Sequence, residues 1–388
     1  MSDINNSFCL DKSKSNYLNF INSCNLGDGN FLFTKNSDSS PFALCFGIFG
    51  YTLLRENLLI EKNCDVWSQK LKSSVRAVRS KHSDLKIISR DKSYLQLLTF
   101  TLSALKVLGS ISNDPLEDLV LEVLPANLLL SLDSFNILEG APGSGNYAMF
   151  IAVLLIHARD FLGVDTKSKI EDWEEAHLSS LNSYGFWGKK ESMTYLQFQN
   201  GYHQYEIFEY LNTPNVPWLK AADNVALLAD LDGHFAPYLG GGGCFDYDAL
   251  FFLTSNSNSI KKHSKRIIKL ANAILFDQNL DGGFCESKRI RPRTINNLNA
   301  SLKNVFLVKG GARTERLRQM LTLMRPKYNR IHTHWSTYSR KWEESDLWDS
   351  WFRMLSVARA DIAINPENKK NWGFIDYPGI GFHPSLHN

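Results

Sequence analysis

The chain has 388 residues, of which 44% are hydrophobic, 21% charged and 12% aromatic. That composition excludes a disordered or low-complexity polypeptide, and the length supports a large core without a disulfide or metal staple. With 43 Lys and Arg against 40 Asp and Glu, the formal charge of +3 is too near balance to argue for nucleic acid or a membrane surface. Six scattered cysteines without a CxxC pair, together with a polar N-terminus, predict reduced thiols and a cytoplasmic location. No apolar run reaches the roughly 18–20 residues of a membrane span.

In chain order, the first recurring feature is Asp28-Gly29-Asn30-Phe31, followed after a gap by an apolar run from Phe42. Leu97–Leu108 and Ala148–Phe161 are apolar on broad faces, as buried helices are. The turn pattern returns as Tyr184-Gly185-Phe186-Trp187, Asp232-Gly233-His234-Phe235 and Asp281-Gly282-Gly283-Phe284. The last three glycines are 48 and 49 residues apart. From the motif glycine to the next helix is 13, 13 and 14 residues, for helices beginning at Phe42, Asp246 and Asn296. A further step reaches His334-Trp335. Each motif reads as a tight turn: aspartate closes it, glycine takes a positive φ, and the aromatic plugs between helix pairs. A unit of about 50 residues holds two helices and two connections. Strand signals are poor. The expectation is an all-α single domain over residues 1–388. Its helical hairpins recur over 28–355, and residues 362–388 form a C-terminal tail.

Three segments, Asn200–Tyr210, Cys244–Leu253 and Ser345–Arg353, stand out as able to do chemistry, and a basic patch and a histidine pair lie between the last two. In Asn200–Tyr210, His203 and Glu206 are three apart and share a helix face, with Tyr202 on an overlapping stripe. They form an acid–base pair or a clamp on this reading, and a satisfied histidine on a solvated face otherwise. In Gly240–Leu253, four consecutive glycines precede Cys244-Phe245-Asp246-Tyr247-Asp248. Asp246 and Asp248 are two apart and face different ways on a helix, so at most one lines a cavity. Asp246 is the preferred acid or base, and Asp248 a substrate contact. Asn296 is placed at an inner helix start. Arg289, Arg291 and Arg293 with Lys288 form a basic patch, suited to a phosphate or carboxylate or simply to a solvated loop. His332 and His334 make half a metal site, but no third ligand has diagnostic spacing; no cofactor is expected, and a metal ion is the lesser reading. In Ser345–Arg353, Asp346, Asp349 and Arg353 share one face and Trp348, Trp351 and Phe352 the other. Capping and the helix dipole account for the charges; substrate contact by Asp346, Trp348 and Asp349 is the functional reading.

Gln278-Asn279-Leu280-Asp281-Gly282-Gly283-Phe284 resembles the QxxDGGW/F repeat of terpene cyclases, protein prenyltransferase β subunits and related α/α toroids. The resemblance implies a toroid of helical hairpins whose inner helices line a central cavity. If Ala249 matches the alanine that follows the cyclases' DxDDT acid motif, Asp246 falls at the proton-donating aspartate. Cys244 and Tyr247 then stand where flanking aspartates would. A prenyltransferase-like zinc site would nominate Cys244, Asp246 and His334. The fold also carries sugar-cleaving enzymes and non-enzymes, so function does not follow from it.

Aromatics together with His203, Gln204, Glu206, Asp246, Asn296, Asn297, Asp346 and Asp349 suit a hydroxyl-rich ligand better than a hydrocarbon, because unpaired buried polar groups are costly. The leading expectation is an enzyme with a central toroid cavity doing acid–base chemistry, as a hydrolase, lyase or epimerase, on a polar, saccharide-containing substrate. Asp246 is the acid or base, and His203 and Glu206 are its partners. The alternatives are a cyclase- or prenyltransferase-like enzyme on an isoprenoid and a non-catalytic binding subunit. Neither nucleic acid nor a membrane-spanning segment is expected, and nothing in the sequence sets the oligomeric state.

Overall fold

The computed structural model describes residues 7–81, 84–188, 193–291, 293–332 and 339–384. The His334-Trp335 step of the repeat, and with it His334 as a metal ligand, lies outside the described residues. The chain is all-α, with sixteen α-helices and one two-stranded hairpin among the described residues. It runs α1 (Ser7–Cys24), α2 (Pro41–Leu53), α3 (Asn57–Ser80), α4 (Leu85–Ile88), α5 (Lys92–Val107), α6 (Glu117–Val123), α7 (Leu128–Ser134) and α8 (Ser144–Leu162). It continues through α9 (Lys167–Ser179), α10 (Tyr195–Leu211), α11 (Trp218–Ala226), α12 (Gly243–Leu253), α13 (Ser257–Phe276), α14 (Ile295–Leu307) and α15 (Gly310–Leu323). The hairpin of β1 (Arg330–His332) and β2 (Ser339–Lys341) then leads to α16 (Leu347–Ile364).

Six helices are buried on nearly every side. Helix α2 buries Phe42 to Tyr51 without a break, α8 Ala148 to Ala158, α12 Asp246 to Leu253 and α16 Asp349 to Ile362. A helix buried all round is surrounded by protein. The neighbours run α2, α5, α8, α10, α12, α16 and back to α2, a cyclic order. Around them lie helices buried on one stripe only. Helix α3 covers α2 and α5, α9 covers α8, α11 and α13 cover α12, and α1 covers α2 and α16. Helix α3 buries Ile60, Trp67, Leu71 and Val75 at four- or seven-residue steps, with Ser68 beside them, and leaves its opposite face exposed.

The four motif turns share one hydrogen-bonded form. Leu26, Asn182, Asp230 and Asn279 donate N–H to the carbonyl four residues on, at 2.9, 2.7, 2.7 and 2.9 Å. The glycine three residues after each has φ of 73°, 84°, 103° and 89°, as expected for a left-handed position. Two residues further, Phe31, Trp187, Phe235 and Phe284 are buried. The closing aspartate differs from the one expected at the third turn. Asp230 Oδ1 accepts the N–H groups of Asp232, Gly233 and His234, all at 2.8 Å, while Asp232 pairs with Arg289.

A second expectation fails. The helix at Asn296 is not an inner helix; α14 pairs with α15, and α16 occupies the place in the core. The repeat is interrupted rather than ended. After Phe284 the chain leaves the core, forms α14, α15 and the hairpin, and returns where Ser287 N–H meets Trp342 O at 3.0 Å and Asp346 N–H meets Phe284 O at 3.2 Å. Spacing alone cannot distinguish a repeat unit from an insertion of similar length.

The first turns of the inner helices meet at one end. Gly145 of α8 lies against the Asn200 backbone of α10, Gln199 of α10 reaches Cys244 of α12, and Gly243 of α12 lies against Asp349 of α16. The opposite end is covered by the tail. Trp372, Phe374, Tyr377 and Phe382 are buried, Gly373 N–H bonds Leu53 O at 3.0 Å, and Tyr377 Oη meets His157 Nδ1 at 2.9 Å.

Candidate functional site

At the end where the first turns meet, Lys92, Asn146, Gln199, His203, Cys244 and Trp348 are partly exposed while the residues next below them are buried. Helix α10 is held there by its own capping box, with Thr194 Oγ1 accepting from Gln197 N–H at 3.1 Å. Asn146 Nδ2 lies 2.9 Å from His203 Nε2, and with the amide donating, the neutral imidazole carries its proton on Nδ1. Burial, reinforced by the Lys92 charge, holds His203 near pKa 3, so it is neutral. Its Nδ1 faces Glu206 Oε2 at 3.8 Å, a separation that one water or one ligand hydroxyl bridges.

Glu206 is 2% exposed and accepts Tyr202 Oη–H on Oε1, one turn back along the helix. Burial pushes its carboxyl well above the ordinary range, against the opposing hydrogen bond from Tyr202. Asp248 is raised the same way, by burial first and then by the charges of Glu206 and Asp246. His203 Nδ1, Glu206 Oε2 and Asp248 Oδ1 are buried polar atoms without a hydrogen-bond partner. Below them Arg359 pairs with Glu209, donates to Thr254 Oγ1 at 3.0 Å and lies 4.5 Å over the Phe251 ring.

Asp246 stands apart from His203 and Glu206. Its Oδ2 meets His234 Nδ1 at 2.7 Å and Arg353 Nη1 at 2.8 Å, and its Oδ1 accepts Phe235 N–H at 2.9 Å. Asp277 approaches the other side of His234, at 3.4 Å. Burial opposes a charge on that imidazole, but Asp246 and Asp277 outweigh it and raise His234 to about 10. The node ties the third turn to α12 and α16. Arg353 also donates to Glu286 O at 2.9 Å, which anchors the fourth turn. The charged face expected on α16 is therefore interior.

The glycine run lets carboxylates close on α12. A Cβ at Gly242 would lie 2.5 Å from Tyr238 Oη and 2.6 Å from Glu286 Oε1, and one at Gly243 would lie 2.9 Å from Asp349 Oδ1. Arg340 is set among three acids: Glu286 at 3.2 Å, Asp349 at 2.9 Å, and Asp346 through Nε. Asp346 also caps α16, accepting Asp349 N–H at 2.7 Å. One guanidinium cannot neutralise three buried carboxylates, so the cluster retains protons. Burial and then the Asp349 charge raise Glu286 to about 8. Burial followed by the charges of Asp248, Glu286 and Asp349 raises the Cys244 thiol well above its usual range.

Of the residues singled out in the sequence, Tyr202, His203, Glu206 and Asp248 are brought together. Asp346 and Asp349 form the neighbouring cluster, and Trp348 stands on its rim with its ring 4.6 Å from that of Phe352. Asn296 is exposed on α14, away from the core, and His332 is exposed on β1. Sequence reasoning missed Glu286, Arg340, Tyr238 and Asn146, because each comes from a different element. Among the described residues no group of three or more His, Cys, Asp or Glu has the arrangement of a metal site. No helix among them is long and apolar enough to cross a membrane. Comparison with family models, curated proteins and solved structures finds no match.

Proposed function

We propose that the cyclic set of inner helices is an α/α toroid whose open end is the active site of an acid–base enzyme acting on a hydroxyl-rich, saccharide-containing substrate. The observation that carries this reading is the trio of buried, unpartnered atoms His203 Nδ1, Glu206 Oε2 and Asp248 Oδ1. Buried polar groups are normally satisfied, so such atoms at a partly open end mark where a ligand's polar groups belong. The two carboxyls have raised affinity for protons, which suits a group that donates one near neutral pH. Neutral His203, with its proton on Nδ1, orients the substrate oxygen toward Glu206. Asp246 is then a positioning residue that fixes the third turn, because its oxygens are already occupied.

An isoprenoid substrate draws support from the aromatic wall, where Tyr202 meets Phe251 at 5.2 Å and Tyr247 at 5.6 Å between ring centroids. That reading makes Asp246 the proton donor, and the ion pairs on Asp246 weigh against it.

The test is calorimetric binding of a panel of mono- and oligosaccharides, followed by reducing-end release and ultraviolet detection of unsaturated sugar. A binding sugar should be turned over by the wild type, while Glu206→Gln and Asp248→Asn lose about 100-fold or more in turnover with the fold intact. Absence of any sugar binding, or full turnover by both variants, rejects the proposal. Turnover of prenyl diphosphates instead establishes the second reading.

A further inference from the structure

Residues 288–330 hold twelve Lys and Arg and a single acid, Glu315, out of chain totals of 43 and 40. The rest of the chain is therefore net negative, and the balanced overall charge conceals a strongly basic segment. The one acid is used internally. Glu315 Oε2 accepts Tyr195 N–H at 2.6 Å and so caps the inner helix α10. Arg316 is buried and donates to Leu228 O at 2.8 Å, and Asn304 Oδ1 accepts Leu231 N–H at 3.1 Å. These bonds seat one side of the α14–α15 pair on the core.

The other side is apolar and wet. On α14, Ile295, Leu298, Leu302 and Phe306 fall at i, i+3, i+7 and i+11 and are 78, 41, 40 and 69% exposed. On α15, Leu317, Leu321 and Met324 fall at i, i+4 and i+7 and are 42, 52 and 49% exposed. Each set is one continuous stripe on its helix. Exposed Lys303, Arg313, Arg318 and Arg325 flank the stripes. Ile295, Leu298 and Met324 also edge a cleft of about 200 Å³ that the two helices form with Pro237–Leu239 and the Arg289–Arg293 segment.

We propose that the α14–α15 pair is a docking surface for an anionic lipid bilayer, with the two aliphatic stripes entering the interface and the basic flanks meeting acidic headgroups. Aliphatic stripes bordered by Lys and Arg are the chemistry of interfacial helices. A nucleic-acid surface would carry the positive charge without the leucines. A second copy of this chain would bring the same positive charge against itself. The surface adjoins the first turn of α10, so the bilayer would lie beside the open end of the core.

The test is sedimentation of the full chain with phosphatidylcholine vesicles, with and without phosphatidylserine, at low and high salt. Binding should require phosphatidylserine and weaken as salt rises. The double variant Ile295→Ser/Phe306→Ser and the charge variant Arg318→Glu/Arg325→Glu should each bind about tenfold or more weakly. Far-UV circular dichroism and thermal melting establish that both variants fold. Absence of binding, or binding indifferent to the apolar pair, overturns the proposal. So does a wild-type dimer without vesicle binding that Ile295→Ser/Phe306→Ser converts to monomer.

Discussion

The six-helix core and the α14–α15 excursion treat charge in opposite ways. The core buries Asp246, Arg353 and Arg359, and sets each beside a partner of opposite sign. The excursion leaves arginines in water and aliphatic side chains beside them. A charge in a low-dielectric interior must be paired or protonated, so core ion pairs are fixed by necessity. An exposed cation is under no such constraint, and an exposed leucine gains nothing from the fold. The core's ion pairs are thus explained by the fold itself, whereas the excursion's surface remains unexplained until something outside the chain is considered.

The sharpest way to break this comparison is to remove one member of a buried pair. Asp246→Ala leaves Arg353 without its carboxylate partner and His234 with Asp277 alone, and should cost about 3–5 kcal/mol of stability in urea unfolding. Arg318→Glu/Arg325→Glu, at exposed positions of the excursion, should stay within about 0.5 kcal/mol per site. Equal costs would erase the distinction.

Alkaline pH tests the same node. His234 has a folded value of about 10 against an ordinary 6.5, so its contribution is fully present below 6.5 and is lost as pH rises toward 10. Glu286, raised to about 8, adds a loss between its ordinary value of 4.5 and 8, because its ionised form is disfavoured by folding. The core should therefore weaken from mildly acidic to alkaline pH, with His234 contributing up to about 5 kcal/mol. In His234→Gln the part of that slope between pH 8 and 10 should flatten, as read from melting temperature against pH. An unchanged slope would remove His234 from the account.

The turns were the most legible part of the molecule. Gly29, Gly185, Gly233 and Gly282 have the positive φ that their sequence context predicts, because a tight turn imposes it locally. His203 and Glu206 were legible for a similar reason, since i,i+3 spacing fixes a shared face wherever the helix lies. Asp246 was legible as special but not in kind. Its partners are His234, 12 residues away, and Arg353, 107 residues away, and no local pattern joins them. The glycine run reads locally as a loose turn, and only the approach of Glu286 and Asp349 explains its last two members. The insertion escaped repeat arithmetic, although its twelve cations against one acid were countable all along.

Packing at the run gives an intermediate effect. Gly243→Ala places a methyl 2.9 Å from Asp349 Oδ1 and forces α12 and α16 apart. A loss of about 1–3 kcal/mol is expected. Glu286 should also titrate nearer its ordinary value, because separation weakens the Asp349 charge acting on it. Carboxyl infrared titration distinguishes this from a uniform loss of stability.

The smallest effect belongs to the tail-covered end. Tyr377 Oη meets His157 Nδ1 at 2.9 Å, while Nε2 of the same ring faces Pro115 O at 2.9 Å. The carbonyl can only accept, so Nε2 carries the proton and Nδ1 accepts from the tyrosine. Burial holds His157 near pKa 4, so no charge is involved. Tyr377→Phe should therefore cost about 1 kcal/mol, the worth of one neutral hydrogen bond plus an acceptor left dry. Hydrogen exchange should speed up at Gly373, whose amide ties the tail to Leu53 O, and at Phe382, whose amide closes a turn within the tail, and not at Tyr195, whose amide is held by Glu315 at the other end. Equal acceleration at Tyr195 would show that the two ends of the core open together.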